Sequence, residues 1–167
     1  MTDDRRYGGQ SMYRPLRRVL VRRPDESFAV EDPELWHYAG RPDLARAQEE
    51  HDALCALLRA AGAEVIAHDE PQPGRADSIF VFDPALITDA GAVILRMGKE
   101  LRRGEEQAMA RTLERLGVPV IATLHGDALA EGGDLLWLDE RTLAVGLGFR
   151  TNREGLRQLG EALAPHG

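Results

Sequence analysis

Residues 78–96 read SIFVFDPALITDAGAVILR. Within them, 78–82 and 85–88 are apolar and β-favouring, forming one strand or two short pieces. A second run, 92–96, follows across Asp89-Ala90-Gly91, and a short turn of this kind between apolar runs marks a hairpin. Further on, 104–116 sets Ala108, Met109, Thr112, Leu113 and Leu116 along one side of a helix that Gly117 stops. Residues 118–123 (VPVIAT) then return as a strand. The order strand, strand, helix, strand defines an α/β unit.

Working outward, the same order recurs on both sides. Arg18–Val21 (RVLV) reads as a strand. The stretch 43–61 carries Leu44, Ala47, His51, Leu54, Leu58 and Ala61 at helical spacing, with Pro42 suited to a first helical turn and Gly62 as a stop. Residues 63–67 (AEVIA) follow as a strand. On the far side, 135–138 and 142–147 form a hairpin around Asp139-Glu140-Arg141. A helix over 152–164 is capped by Asn152 or Thr151 and points Leu156, Leu159 and Leu163 inward. The sequence then reaches Pro165-His166-Gly167 with no closing strand. The fold class is therefore α/β, with ββαβ units repeated at roughly 50-residue spacing and the third unit broken off. Residues 1–13 are expected to be a disordered polar leader, and 14–167 one domain.

The chain has 167 residues with 43% hydrophobic and only 5% aromatic content, which suits one aliphatic core. A formal net charge of -7 argues against a nucleic-acid or anionic-membrane binder. Lys99 is the lone lysine, so arginine supplies the remaining basic residues, a bias that codon usage explains as well as function does. Cys55 is the only cysteine, which excludes an internal disulfide and fits a cytoplasmic setting. No apolar run approaches the ~20 residues of a membrane span, and the first ten residues lack the apolar core of a signal peptide.

Several residues could carry chemistry. Asp77 and Asp83, six apart, would point the same way from an intervening strand and could flank a planar cation; each is equally a turn residue at a strand end. Glu131-Gly132-Gly133-Asp134 precedes an apolar strand, where the glycines permit close approach of a ligand and the acid can act as a base, orient a histidine or simply occupy a loop. Arg102, in RRGEE, and Arg150, in RTN, could hold a carboxylate or be solvated beside helix starts whose acids favour the dipole. His37, His51, His68, His125 and His166 show no metal-ligand spacing, and no cofactor is implied. Cys55, among leucines on a helix, reads as an inert core residue.

Together, RPDLARAQEEHDALCALLRAAGAEV, ADSIFVFDPALITDAGAVILRMGKELRRGEE and EGGDLLWLDERTLAVGLGFRTNREG resemble successive modules of the dimethylarginine dimethylaminohydrolase, arginine deiminase and amidinotransferase family. That resemblance implies a five-bladed α/β propeller of ββαβ units, known as the pentein fold, around a central site. It implies that Asp77 and Asp83 hold a substrate guanidinium and that Arg102 and Arg150 hold its carboxylate. Glu131 is implied to orient a catalytic histidine or touch the guanidinium. The implied reaction is attack of a cysteine thiolate on the guanidinium carbon, with histidine as acid and base. Phe82 departs from the family, which has an acidic residue before Asp83, and this leaves arginine, agmatine or another guanidine open as substrate. The family's histidine and cysteine fall beyond Gly167.

The expectation is thus an incomplete propeller of about two and two-thirds units, with substrate-binding residues but no nucleophile, inactive alone. Its ligand would be a small guanidino compound. Its open edges would be covered by a second copy or by a missing C-terminal half. The alternative is a non-catalytic module that binds arginine-like ligands or serves interaction.

Overall fold

A computed structural model describes residues 7–166, with two compact units. One is Pro15–Val81; the other runs from Phe82 onward and includes the described residues before Pro15.

In the Pro15–Val81 unit, strand β1 (Arg18–Val21) lies parallel to β2 (Glu64–Ala67), with Val19 opposite Val65 and Leu20 opposite Ile66. Parallel neighbours need a long crossover, which helix α1 (Leu44–Ala60) supplies. Asp43 starts α1 by accepting a hydrogen bond from the Arg46 amide, which satisfies one of the free first-turn donors. Pro42 therefore precedes the cap instead of opening the helix. The inward face is Leu44, Ala47, His51, Cys55 and Leu58, with Cys55 the buried member. Leu54, expected on that face, is 49% exposed, because it sits one position away from Cys55 and so about 100° around the helix.

The expected strand over 78–82 does not form. Ala76–Ile79 is a single 3-10 turn, closed by bonds from the Ser78 amide to the Arg75 carbonyl and from the Phe80 amide to the Asp77 carbonyl. Asp77 and Ser78 are buried while Phe80 and Phe82 are exposed, the reverse of an apolar strand in a core. Alternation of side-chain direction therefore does not relate Asp77 to Asp83.

The other unit contains one complete ββαβ module. Strands β3 (Ala85–Thr88) and β4 (Gly91–Ile94) form an antiparallel hairpin, and β5 (Val120–Thr123) joins parallel to β4 after helix α2 (Glu105–Arg115). The order β3-β4-β5 puts β4 in the middle, and all four of its residues are buried, as befits a strand with neighbours on both sides. Gly91 is required at the turn: its φ is 142°, and a Cβ there would meet the Pro119 carbonyl at 2.4 Å. Pro119 cannot donate to the ladder, so β5 begins at Val120, two residues later than the apolar run.

A second hairpin, β6 (Leu135–Trp137) with β7 (Leu143–Val145), leads into helix α3 (Arg153–Leu163). The core joins both parts through Leu86, Val93, Leu95, Leu135, Trp137 and Leu159. The expected leader falls outside the described residues over 1–6; from Tyr7 on, Gln10 accepts a bond from the Asp89 amide and donates to the Glu140 carbonyl. Among the described residues no helix is long and apolar enough to cross a membrane.

Asn152 ties α3 to the preceding loop. Its Oδ1 accepts from the Gly155 and Leu129 amides, and its Nδ2 donates to the Asp127 carbonyl. Asn152→Ala should lower unfolding free energy in urea by about 1–2 kcal/mol, and a loss indistinguishable from zero would contradict this anchoring.

Candidate functional site

In the Phe82 onward unit, four of the five residues expected to carry chemistry converge. Asp83 ends the turn before β3 and uses three oxygens at once. Its carbonyl accepts from the Gly132 amide at 3.0 Å, Oδ1 from the Gly133 amide at 2.9 Å, and Oδ2 from Arg102 Nη1 at 2.6 Å. Gly132 makes this approach feasible, since a Cβ on it would lie 2.1 Å from the Phe82 carbonyl oxygen.

Arg102 closes the 3-10 turn Glu100–Arg102 ahead of α2 and is 3% exposed. Besides Asp83, it donates to Glu105 through Nε, at 3.1 Å to each oxygen, and through Nη2 at 2.8 Å. Burial works to lower the pKa of this guanidinium. Hydrogen bonds and charge attraction from Glu105, and then from Asp83, outweigh that effect and raise it above the ordinary arginine value. A planar fork saturated by two carboxylates is the geometry that arginine, and not lysine, provides.

Glu131 is completely buried. Its Oε1 accepts from the Gly98 amide at 2.9 Å and the Lys99 amide at 3.4 Å, and its Oε2 accepts from Arg150 Nη1 at 3.0 Å. Arg102 Nη1 lies 3.9 Å from the same Oε2. Thr151, also buried, accepts from the Glu131 amide and donates to Asp134 Oδ2 at 2.7 Å. Arg150 keeps 40% of its side chain exposed while its Nη1 holds Glu131 and its Nη2 lies 3.9 Å from Asp134 Oδ1.

Asp77 belongs to the Pro15–Val81 unit. It is buried, and its Oδ1 accepts from the Tyr38 hydroxyl at 2.7 Å. Residue-type reasoning missed Glu105 as a site partner because an acid in a first helical turn already has a reason to be there. The signal was its place three residues after Arg102, close enough for a carboxylate in the first turn of α2 to reach back to the preceding turn. Thr151 was read only as a possible cap; Asn152 caps α3, and Thr151 instead braces Glu131 and Asp134.

Among the described residues no group of three or more metal-ligating side chains is arranged to hold an ion. The cluster is one of carboxylates built to hold guanidinium groups, here those of the chain's own arginines. The family described as N,N dimethylarginine dimethylhydrolase, eukaryotic, matches residues 39–164. The chain belongs to this family.

Similar curated proteins include the N(G),N(G)-dimethylarginine dimethylaminohydrolases of Pseudomonas aeruginosa, 32% identical over 91% of this chain, and Streptomyces coelicolor, 35% identical over 92%. The chain spans about 58% of the length of either. Among solved structures, the Pseudomonas aeruginosa enzyme as a cysteine-to-serine mutant complexed with citrulline aligns at a TM-score of 0.77 and 30% identity, covering 91% of this chain and 58% of that one. The N-terminal domain of a cyanobacterial arginine dihydrolase bound to its substrate aligns at 0.73 and 26% identity, covering 88% and 55%. The mixed α/β fold is thus the fold of these proteins.

Replacing Arg102 would leave Asp83 and Glu105 buried without their shared cation. Arg102→Met should cost about 3–5 kcal/mol of stability, and adding Glu105→Gln should restore part of that. Denaturation of the single and double variants checks it; a double variant no more stable than the single one would show that the pairing is not what holds this turn.

Proposed function

We propose that this chain carries the guanidinium- and carboxylate-holding part of a guanidino-compound hydrolase of the dimethylarginine or arginine type. The observation that carries the reading is the grip of buried Asp83 on a guanidinium. Its Oδ2 holds Arg102 at 2.6 Å while backbone amides at Gly132 and Gly133 fix its other oxygens. A carboxylate oriented in this way suits a planar cation, and a bound guanidinium would take the place of Arg102 on Oδ2.

In this reading Asp83 holds the substrate guanidinium. Arg150, partly exposed, holds the amino-acid carboxylate, and Arg102 does so on release from Asp83. Glu131 orients the histidine or touches the guanidinium. The reaction cleaves a guanidinium C–N bond. A cysteine thiolate forms an S–C bond to the guanidinium carbon, the amine leaves with a proton from histidine, and water then displaces the sulfur. Neither the nucleophile nor that histidine is assigned to a residue of this chain, and both would be supplied from outside these 167 residues. The similar structures with citrulline and with an arginine dihydrolase substrate support the ligand class.

The same proposal includes an incomplete α/β propeller, supported by the β3-β4-α2-β5 module and the β6-β7-α3 order after it. Leu136, Leu138, Leu147 and Phe149 are exposed in the latter region, and this surface favours association with a second copy or with a C-terminal half. Sedimentation at high concentration should show a dimer or larger species; a monodisperse monomer would contradict that association. A cytoplasmic setting is part of this reading, and the single cysteine supports it.

The test is calorimetric titration with arginine, methylated arginine and agmatine, with citrulline assayed on the same samples. Saturable binding, weakened by about tenfold or more in Asp83→Asn, and no citrulline are expected. Absence of binding by every guanidine, or equal binding by the variant, would overturn the pocket. Citrulline formation abolished by thiol alkylation would overturn the external nucleophile.

A further inference from the structure

The Pro15–Val81 unit contains a half-open cavity of about 290 Å³ that the guanidinium reading does not use. Val21 of β1 and Val65 and Ala67 of β2 wall it on one side; the opposite side is α1, through His51, Asp52, Cys55 and Arg59. Cys55 Sγ lies 3.6 Å from His51 Nδ1 and 3.8 Å from Nε2, within hydrogen-bond range for sulfur. His51 Nδ1 lies 3.6 Å from Asp52 Oδ1. Asp52 is in turn held by Arg23, through Nε at 2.9 Å and Nη2 at 3.0 Å.

These four groups touch in succession, with His51 Nδ1 the nitrogen nearest Cys55 and 3.6 Å from Asp52. The Arg23 hydrogen bonds, despite an opposing desolvation effect, hold Asp52 below the ordinary carboxylate range, with His51 a smaller contributor. His51 thus stands between an ion-paired carboxylate and the Cys55 thiol, with a ring nitrogen within reach of the sulfur. A structural helical cysteine packs as a small hydrophobe; Cys55 has in addition a ring nitrogen within reach and lines an open cavity. Arg59, exposed on the cavity rim one helical turn beyond Cys55, supplies positive charge toward the opening.

We propose that this cavity is a thiol-modification site, in which Cys55 undergoes exchange with a small disulfide that carries a carboxylate. The chemistry balances without any further oxidant. His51 takes the thiol proton, and the Cys55 sulfur bonds to one sulfur of the disulfide. The reagent's S–S bond breaks, and the departing thiolate leaves with the electron pair and takes the proton back from His51. Cys55 is oxidised to a mixed disulfide while the reagent is reduced to one thiol. The apolar strand wall receives the body of the incoming group, and Arg59 attracts its carboxylate.

Because Cys55 is the only cysteine in the sequence, one measurement reads this site alone. The full chain, without denaturant, is treated with dithiobis-nitrobenzoate, an anionic aromatic disulfide, and separately with the neutral dithiodipyridine; released thiol is followed by absorbance and the adduct by intact mass. One equivalent should react in the folded protein at neutral pH. His51→Gln, with folding checked by circular dichroism, should slow both reagents by about tenfold. Arg59→Gln, a surface change, should slow the anionic reagent by about threefold at low ionic strength and leave the neutral one unchanged. A thiol that reacts only after denaturation would overturn the site. Unchanged rates in His51→Gln would overturn the proton acceptor, and an Arg59→Gln variant that slows neither reagent, or both alike, would overturn carboxylate recognition.

Discussion

Arg102 is a charge removed from water and returned to balance by two carboxylates, and the arrangement of the Phe82 onward unit depends on it. Taking a guanidinium out of solvent costs several kcal/mol unless its donors are matched. Here Glu105 matches the Nε and Nη2 side, and Asp83 takes Nη1. One residue thereby pins the turn before β3 to the turn before α2, two segments nineteen positions apart. Hydrophobic burial gathers these elements without choosing a direction, whereas the fork of Arg102 fixes their orientation.

From that point the constraint passes outward through Asp83. With its side chain fixed, its carbonyl and remaining oxygen position the Gly132 and Gly133 amides, and this sets the backbone on which Glu131 stands. Glu131 is then locked by the Gly98 and Lys99 amides, and Arg150 completes it from the α3 side. Thr151 and Asn152, adjacent in sequence, divide the labour. Thr151 holds Glu131 and Asp134, while Asn152 caps α3 and catches the Leu129 amide. Rigid elements thus present a partly exposed Arg150 beside the fully buried Glu131, the kind of preorganisation that recognition of a small charged ligand requires.

Much of this was legible in the residues. Periodicity located α1, α2 and α3, and the turns Asp89-Ala90-Gly91 and Asp139-Glu140-Arg141 located both hairpins, because apolar spacing and turn chemistry are local properties. Residues 78–82 misled, since β-favouring residues there are governed by the burial of Asp77 and Ser78 and by a 3-10 turn, neither of which is visible in local composition. Leu54 was misplaced for a related reason: in the apolar stretch 54–58, helical phase is decided by Cys55 and His51 facing the strands. Asp83, Arg102, Glu131 and Arg150 were nominated from motif resemblance, but their mutual pairing is a tertiary fact. The cavity in front of Cys55 was not legible at all, because it depends on how two strands pack against one helix.

The central claim is that the carboxylate network recognises a guanidinium by shape and not merely by charge. The most direct measurement is a nitrogen-proton NMR titration that follows the Gly98 and Gly133 amides, which donate to Glu131 and Asp83 respectively, and the Arg150 side chain as arginine is added, with lysine as the control. The account predicts saturable shifts of all three with arginine and little response to lysine. No response at these groups, or an equal response to lysine, would contradict it.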